Sequence, residues 1–373
     1  MGCTVPSRVY SDERGKENIE KFCKDVAAGE NNMIKEAISR VVDGVDLDRE
    51  EMIACMNEIM TGGATPAQIG SFITALRLKG ETVDEITGAA IVMREKAVKI
   101  DIDKKSNKDT IIDTCGTGGS GTDAFNISTT SAFVVSGAGL KVAKHGNRGV
   151  SSQCGSADVI KALGVNIDIE PGKVKECMDK VGIGFLYAPL FHGAMKYAIG
   201  PRREIGIRTI FNILGPLTNP ANANVQVLGV YREDLTEVIA NVLANLGTRR
   251  AFVVHGLDDL DEISITTQTK VSELKNKNVR TFYVKPEDFG IQKATLNDIK
   301  GGNIDENVRI VKEVLEGKEG AHQDIVLLNA AFSLVAGDAA QDFKEGIELA
   351  KKSIRSGKAK EKLERLIEFT NKT

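Results

Sequence analysis

Asp113-Thr-Cys-Gly-Thr-Gly-Gly-Ser-Gly-Thr-Asp-Ala-Phe-Asn-Ile-Ser-Thr129 is the stretch on which the reading of this chain turns. A run from Thr110 to Asp113 breaks into a loop carrying Gly116, Gly118, Gly119 and Gly121. Asn126, Ser128 and Thr129 follow, and an apolar helical pattern runs from Ser131 to Gly137. A strand, a glycine loop and a helix start together aim backbone N–H groups at one place, which suits an anion. Glycine is needed there because a Cβ would block positive φ and close approach to a phosphate. The loop lacks the Lys-Ser/Thr end of a P-loop, and its glycines do not open a dinucleotide helix at Gly-x-Gly-x-x-Gly spacing. The spacing points to phosphate binding of neither common type, set against the plainer reading of a tight turn.

Further on stands Lys144-His-Gly-Asn-Arg-Gly-Val-Ser-Ser152, then Gly155-Ser-Ala-Asp-Val-Ile-Lys-Ala-Leu-Gly164. The first packs basic, titratable, amide and hydroxyl side chains around two glycines. The second reads as a helix with Val159, Ile160 and Leu163 apolar and Gly164 as its cap. A basic loop is often only solvated, but beside an anion-ready loop it strengthens the phosphate reading.

Composition bounds the rest. The 373 residues suffice for one large or two medium domains, and 42% hydrophobic with 27% charged residues is ordinary for a globular protein. A net charge of −3 excludes the basic balance expected of a nucleic-acid binder, so an anionic ligand must be met by local cations and N–H groups. Cys3, Cys23, Cys55, Cys115, Cys154 and Cys177 form no Cys-x-x-Cys pair or zinc spacing, which reads as reduced thiols in a cytoplasm. No long apolar run or signal peptide is present, and Pro6 argues against lipidation at Met1-Gly2-Cys3.

Residues 1–32 read as a polar extension, flexible or foreign to the natural chain. Residues 33–100 read as a helical domain, with capping motifs at Asp48–Glu51, Thr65–Gln68 (Pro66 at the first helical position) and Thr82–Glu85. From 101 to 373 the pattern alternates. Strands are expected at Thr110–Asp113, Lys141–Ala143, Gly184–Leu186, Val225–Gly229, Arg250–Val254 and Val279–Val284. Helices are expected between them and at Asp324–Ala336 and Ala340–Ser356. This predicts an α/β domain with a mostly parallel central sheet.

Gly116-Thr-Gly-Gly-Ser-Gly121, Asn126-Ile-Ser-Thr129, Lys144-His-Gly-Asn-Arg148 and Arg208-Thr-Ile-Phe-Asn-Ile-Leu-Gly-Pro-Leu-Thr-Asn-Pro220 resemble the anthranilate phosphoribosyltransferases, of the nucleoside phosphorylase/phosphoribosyltransferase superfamily. The resemblance runs from about Met33 to the C-terminus. It departs at Ser120, where the family usually has Asp, and at Ala124, where Thr is usual. It implies a helical domain joined in space by residues 178–200, and a homodimer through that domain. It also implies transfer of phosphoribosyl from phosphoribosyl diphosphate (PRPP) to the amine of anthranilate, a step of tryptophan biosynthesis.

The resemblance also implies a site. PRPP would be met by Gly116, Gly119, Ser120, Ala124, Asn126, Ile127, Ser128 and Thr129 of the first loop. Lys144, His145, Gly146, Asn147, Arg148, Ser151, Ser152 and Ser156 would meet it from the second. Magnesium, as two ions, would be held by Ser128 and by Asp261-Glu262; alone, that acidic pair reads as a surface turn after a strand. Anthranilate would lie against Gly116, His145, Asn147, His192, Arg202, Gly215 and Pro216. No general base is required, because the aromatic amine is already neutral; Lys144 and Arg148 would stabilise the leaving pyrophosphate. Two rivals stay open. One is a pyrimidine nucleoside phosphorylase-like enzyme, whose Lys-x-Ser-Thr-Gly-Gly loop is absent here. The other is a relative that binds nucleic acid without catalysis.

Overall fold

The computed structural model describes residues 33–102, 110–119, 121–149 and 154–372. The extension 1–32, Ser120, Ser151 and Ser152 lie outside the described residues. The chain divides into two compact units: residues up to Glu95 with Ala194–Ile210, and Lys96–Gly193 with Phe211–Thr373. The segment that returns to the helical unit is therefore Ala194–Ile210: it keeps 194–200 of the expected 178–200, while 178–193 stays with the α/β unit. The physical reason is that Ile183–Tyr187 is a fully buried strand hydrogen-bonded into the sheet, which keeps it with the α/β unit.

The helical unit is built from Met33–Val42, Arg49–Thr61, Pro66–Lys79, Val83–Lys96 and Lys196–Ile205. Asp48 and Thr65 each close a capping box, with Glu51 and Gln68 reaching back to the cap N–H. Thr82 and Glu85 exchange the same pair of bonds, at 2.8 and 3.2 Å. Glu85 is fully buried, yet its carboxylate also accepts from Leu47 N–H at 2.9 Å and Lys79 Nζ at 3.0 Å. A buried carboxylate with this many donors is stable where a bare one would not be.

The α/β unit carries a seven-stranded sheet in the order β3-β2-β1-β4-β5-β6-β7. Its strands are β1 (Ile111–Gly116), β2 (Lys141–Gly146), β3 (Ile183–Tyr187), β4 (Val225–Gly229), β5 (Arg250–Gly256), β6 (Thr269–Lys275) and β7 (Asn278–Val284). β3 to β5 in that order run parallel, and β6 and β7 add an antiparallel hairpin at one edge. The helices Ile127–Gly137 and Ala321–Ala336 are buried along almost their whole length, and Phe133, Phe252 and Phe332 fill the core around them. Chain direction from β1 goes first to β2 and β3, then back to β4 on the other side of β1. In open parallel sheets, ligands sit beyond the carboxyl ends of the strands at such a reversal. Among the described residues no helix is long and apolar enough to cross a membrane.

Candidate active site

Four strands end in glycine at that edge: Gly116, Gly146, Gly229 and Gly256. Their need for glycine is steric. A Cβ on Gly229 would run into the backbone of Asp261, and one on Gly116 into the Asp261 carboxylate. A Cβ on Gly146 would strike Ser156 Oγ and the Phe185 ring. The loop after β5 is thus laid across the ends of β1 and β4, directly over the reversal in strand order.

That loop presents Asp261 and Glu262. Asp261 Oδ2 accepts from Gly118 N–H at 2.8 Å, and Glu262 Oε1 accepts from Ser128 N–H at 3.0 Å. Each carboxylate therefore faces a different element, the glycine loop and the start of helix Ile127–Gly137. Burial, and then the Asp261 charge, push the Glu262 carboxyl up to about 8. Lys144 opposes this from below: its buried ammonium donates to Thr114 O and to Ser128 Oγ. Among the described residues no group of three or more His, Cys, Asp or Glu forms a protein-only metal cage. Two carboxylates and one hydroxyl, all hard oxygen donors, are what a magnesium ion completed by phosphate oxygens and water requires. The residues fit the ion.

The first loop supplies a further matched group. Asn126 Nδ2 donates to Cys154 O at 3.3 Å, which leaves Asn126 Oδ1 as a buried acceptor with no partner in the protein. A buried acceptor of this kind is costly unless a donor completes it, and a ligand N–H or O–H could do so. Gly119 stands at φ 75° and Ala124 makes an isolated bridge to Lys300. Ile127 and Thr129 are buried beneath the loop.

The second loop leaves β2 and is open to solvent at Asn147, Arg148 and Gly149. Arg148 Nε donates to Tyr187 OH at 3.0 Å, across from the end of β3. Asp158 Oδ2 accepts from both Gly149 N–H and Gly155 N–H at 3.0 Å, and Ser156 Oγ donates to Asn147 O at 3.2 Å. His145 is buried, and its Nε2 lies 3.3 Å from His192 Nε2. Burial, then the His192 and Lys144 charges, lower the His145 pKa to about 3, while a bond to the Gly215 backbone opposes the shift. Burial lowers His192 to about 4. With His145 donating to Gly215, its Nε2 must accept from His192, which leaves His192 Nδ1 a buried acceptor without a partner. Pro216 O accepts from Gln226 Nε2 at 2.8 Å.

Gly116, Gly119, Asn126, Ser128, Lys144, Asp261 and Glu262 are thus brought to one sheet edge, with His145, His192, Gly215 and Pro216 grouped around the histidine pair. Arg202 stands on Lys196–Ile205 of the helical unit, and burial lowers its pKa; Arg203 beside it is exposed. Several supporting residues escape a reading of the sequence. Asp113 is wholly buried and accepts from His145 N–H at 3.2 Å and Asn219 Nδ2 at 2.8 Å. Asn219 also donates to Ala143 O at 2.9 Å, tying β1, β2 and the loop after Leu217 together. A carboxylate inside an otherwise apolar strand is the available signal for Asp113; nothing local marks Asn219.

Residues 108–360 match the model of the glycosyl transferase family a/b domain, and 35–97 that of the glycosyl transferase family helical bundle domain. The chain is 59% identical over 349 residues to the anthranilate phosphoribosyltransferase of Citrifermentans bemidjiense, covering 91% of this chain and 99% of that one. It is 58% identical to that of Acetivibrio thermocellus, covering 91% and 97%. Among solved structures, anthranilate phosphoribosyltransferase from Thermus thermophilus superposes with a TM-score of 0.84 at 37% identity, covering 90% of this chain and 99% of that one. The enzyme from Saccharomyces cerevisiae in complex with PRPP and Mg gives 0.82 at 30% identity, covering 90% and 97%. This chain belongs to the anthranilate phosphoribosyltransferase family.

Proposed function

We propose that this chain transfers the 5-phosphoribosyl group of PRPP to the amine of anthranilate. The products are N-(5-phosphoribosyl)anthranilate and pyrophosphate, in tryptophan biosynthesis. The observation that carries the reading is the placement of a glycine loop and the Asp261-Glu262 pair over one reversal in strand order. Asp261, Glu262 and Ser128 hold magnesium, and the two separately facing carboxylates suit two ions. A magnesium ion held by these residues would supply positive charge against that of the leaving pyrophosphate.

The chain's own residues do the rest. Asn126 Oδ1 accepts from the ribose, and Gly119, Ser120, Thr129, Ser151, Ser152 and Ser156 meet sugar and phosphate oxygens. Lys144 offers its side-chain nitrogen under the glycine loop, and Arg148 adds a guanidinium from the second. Arg202 and Asn147 hold the anthranilate carboxylate. His145 and His192, with pKa values of about 3 and 4, stay neutral at physiological pH and shape the acceptor site without taking a proton. The amine needs no base, so alignment and electrostatic stabilisation supply the rate.

We also place a homodimer contact on the helical unit. Val42 and Leu78 are 67% and 83% exposed, and with Val41, Pro201 and Ile205 they line an apolar groove of about 830 Å³. A second copy of the chain is the occupant that would bury such a patch. The proposed location is the cytoplasm, in keeping with the free, buried Cys55, Cys115, Cys154 and Cys177. Incubation with anthranilate, PRPP and magnesium should yield pyrophosphate and the phosphoribosylated amine by mass spectrometry. Phosphorolysis of a pyrimidine nucleoside in their place would overturn the reading.

A further inference from the structure

The acidic loop is fastened at both ends by side chains outside the reaction. At its far end stands Asn329, 2% exposed, in the middle of the apolar helix Ala321–Ala336. Its Oδ1 accepts from Ile263 N–H at 3.0 Å, and its Nδ2 donates to Ile263 O at 3.0 Å. One side-chain amide thus pairs with both polar groups of the residue next to Glu262, as a neighbouring strand would. Nδ2 gives its second hydrogen to Ile325 O at 2.9 Å, so the amide cannot rotate without losing a bond. At the near end, Asp258 Oδ2 accepts from Ser264 Oγ at 2.7 Å and from Thr266 Oγ1, and Asp258 Oδ1 accepts from Leu260 N–H at 3.3 Å. The loop closes on itself where Gly256 N–H donates to Leu260 O at 2.8 Å.

A core helix gains nothing in packing from an asparagine, since a leucine would fill the space without a polar group to satisfy. The amide is accounted for by what it holds. Between the two fastenings lie Asp261 and Glu262, whose carboxylates repel once both are ionised and would move apart if the backbone could yield. We propose that Asn329 and Asp258 are positioning residues that fix the backbone of the acidic loop, so that both carboxylates face a metal–diphosphate before it arrives. This rests on the assignment of Asp261 and Glu262 to magnesium. Groups that orient metal ligands change metal affinity by about 10- to 100-fold when removed.

The test is the ratio of PRPP dissociation constants without and with magnesium, by calorimetry in the absence of anthranilate. Asn329→Ser should reduce that ratio about tenfold, while the magnesium-free constant stays within about twofold. A general loosening of the fold would move both constants or neither. If Asn329→Ser folds and its ratio equals that of the unaltered chain, the proposal is wrong. If it does not fold, Asp258→Asn decides by the same criterion, because its site is partly exposed and its shape is kept. A chain carrying both Asp261→Asn and Glu262→Gln separates the two levels. An unchanged ratio there overturns the metal assignment and the proposal with it. A collapsed ratio there beside an unchanged one in the Asn329 and Asp258 variants overturns the proposal alone.

Discussion

The acidic loop after β5 and the basic loop after β2 leave the same sheet edge, yet they are built in opposite ways. Gly256–Ser264 is tied by its own backbone, by Asp258, by Asn329 and by two glycine strand ends that admit no side chain. Asn147–Gly149 is exposed and is held mainly by Asp158 at its margins and by the Arg148–Tyr187 bond. The difference follows from what each loop is proposed to bind. Two carboxylates that must both ionise to meet a cation repel one another as they do so, so their loop needs external support. Cations that meet phosphate need only be near it, because charge-assisted bonds to an anion form readily from an exposed chain.

The comparison breaks most severely at the metal end. Glu262→Gln should lower kcat/KM by about a hundredfold or more, since metal stabilisation of a leaving group is worth several kcal/mol. A variant within about threefold of the unaltered chain would return the pair to a surface turn. Next comes Arg202→Ala, which should raise the KM for anthranilate about ten- to a hundredfold and leave that for PRPP much less changed. Lys144→Ala should do the reverse, and equal weakening of both substrates by either variant would contradict the assignment.

A smaller effect concerns pH. His145 and His192 have folded pKa values of about 3 and 4, below the unfolded value of about 6.5. The stability they contribute is therefore complete above about pH 6.5 and is lost as pH falls through 4 and 3. Thermal melts should show Tm falling below pH 6.5, and His192→Asn should flatten part of that fall. Activity profiles should have no inflection near pH 6.5 from this pair; one that disappears in His192→Asn would show the pair titrating in function. The smallest effect is at Ser120. Ser120→Asp should shift the magnesium optimum and the KM for PRPP while changing the KM for anthranilate within about twofold. Superimposable magnesium curves would mean that position 120 does not sense the metal.

What the sequence made legible is local. The capping boxes at Asp48, Thr65 and Thr82 and the glycine loop after β1 are patterns within a few residues, and Val225–Gly229 stands where the alternation places it. The helix expected from Ala340 begins at Phe343, because Asp342 is its cap and accepts from Glu345 N–H at 2.8 Å. β6 escaped because its hairpin turns through Asn276 and Lys277, at φ 53° and 65°, without the glycine that signals such a turn. The polar helix Lys358–Asn371 gives only a weak signal in sequence, since its apolar stripe is narrow. In the candidate site, the residues proposed from motifs could be picked out because their neighbours in sequence carry the pattern. Asn329 and Asn219 could not, because each acts on a backbone many residues away and looks from its neighbours like an ordinary core or loop position.

The most direct test of the account is the decay of anthranilate fluorescence on adding PRPP to the full chain, with magnesium and then with excess chelator. Decay is expected with magnesium and none once the chelator is in excess, because Asp261 and Glu262 are proposed to act only through the ion. Unchanged decay in the chelator would contradict it.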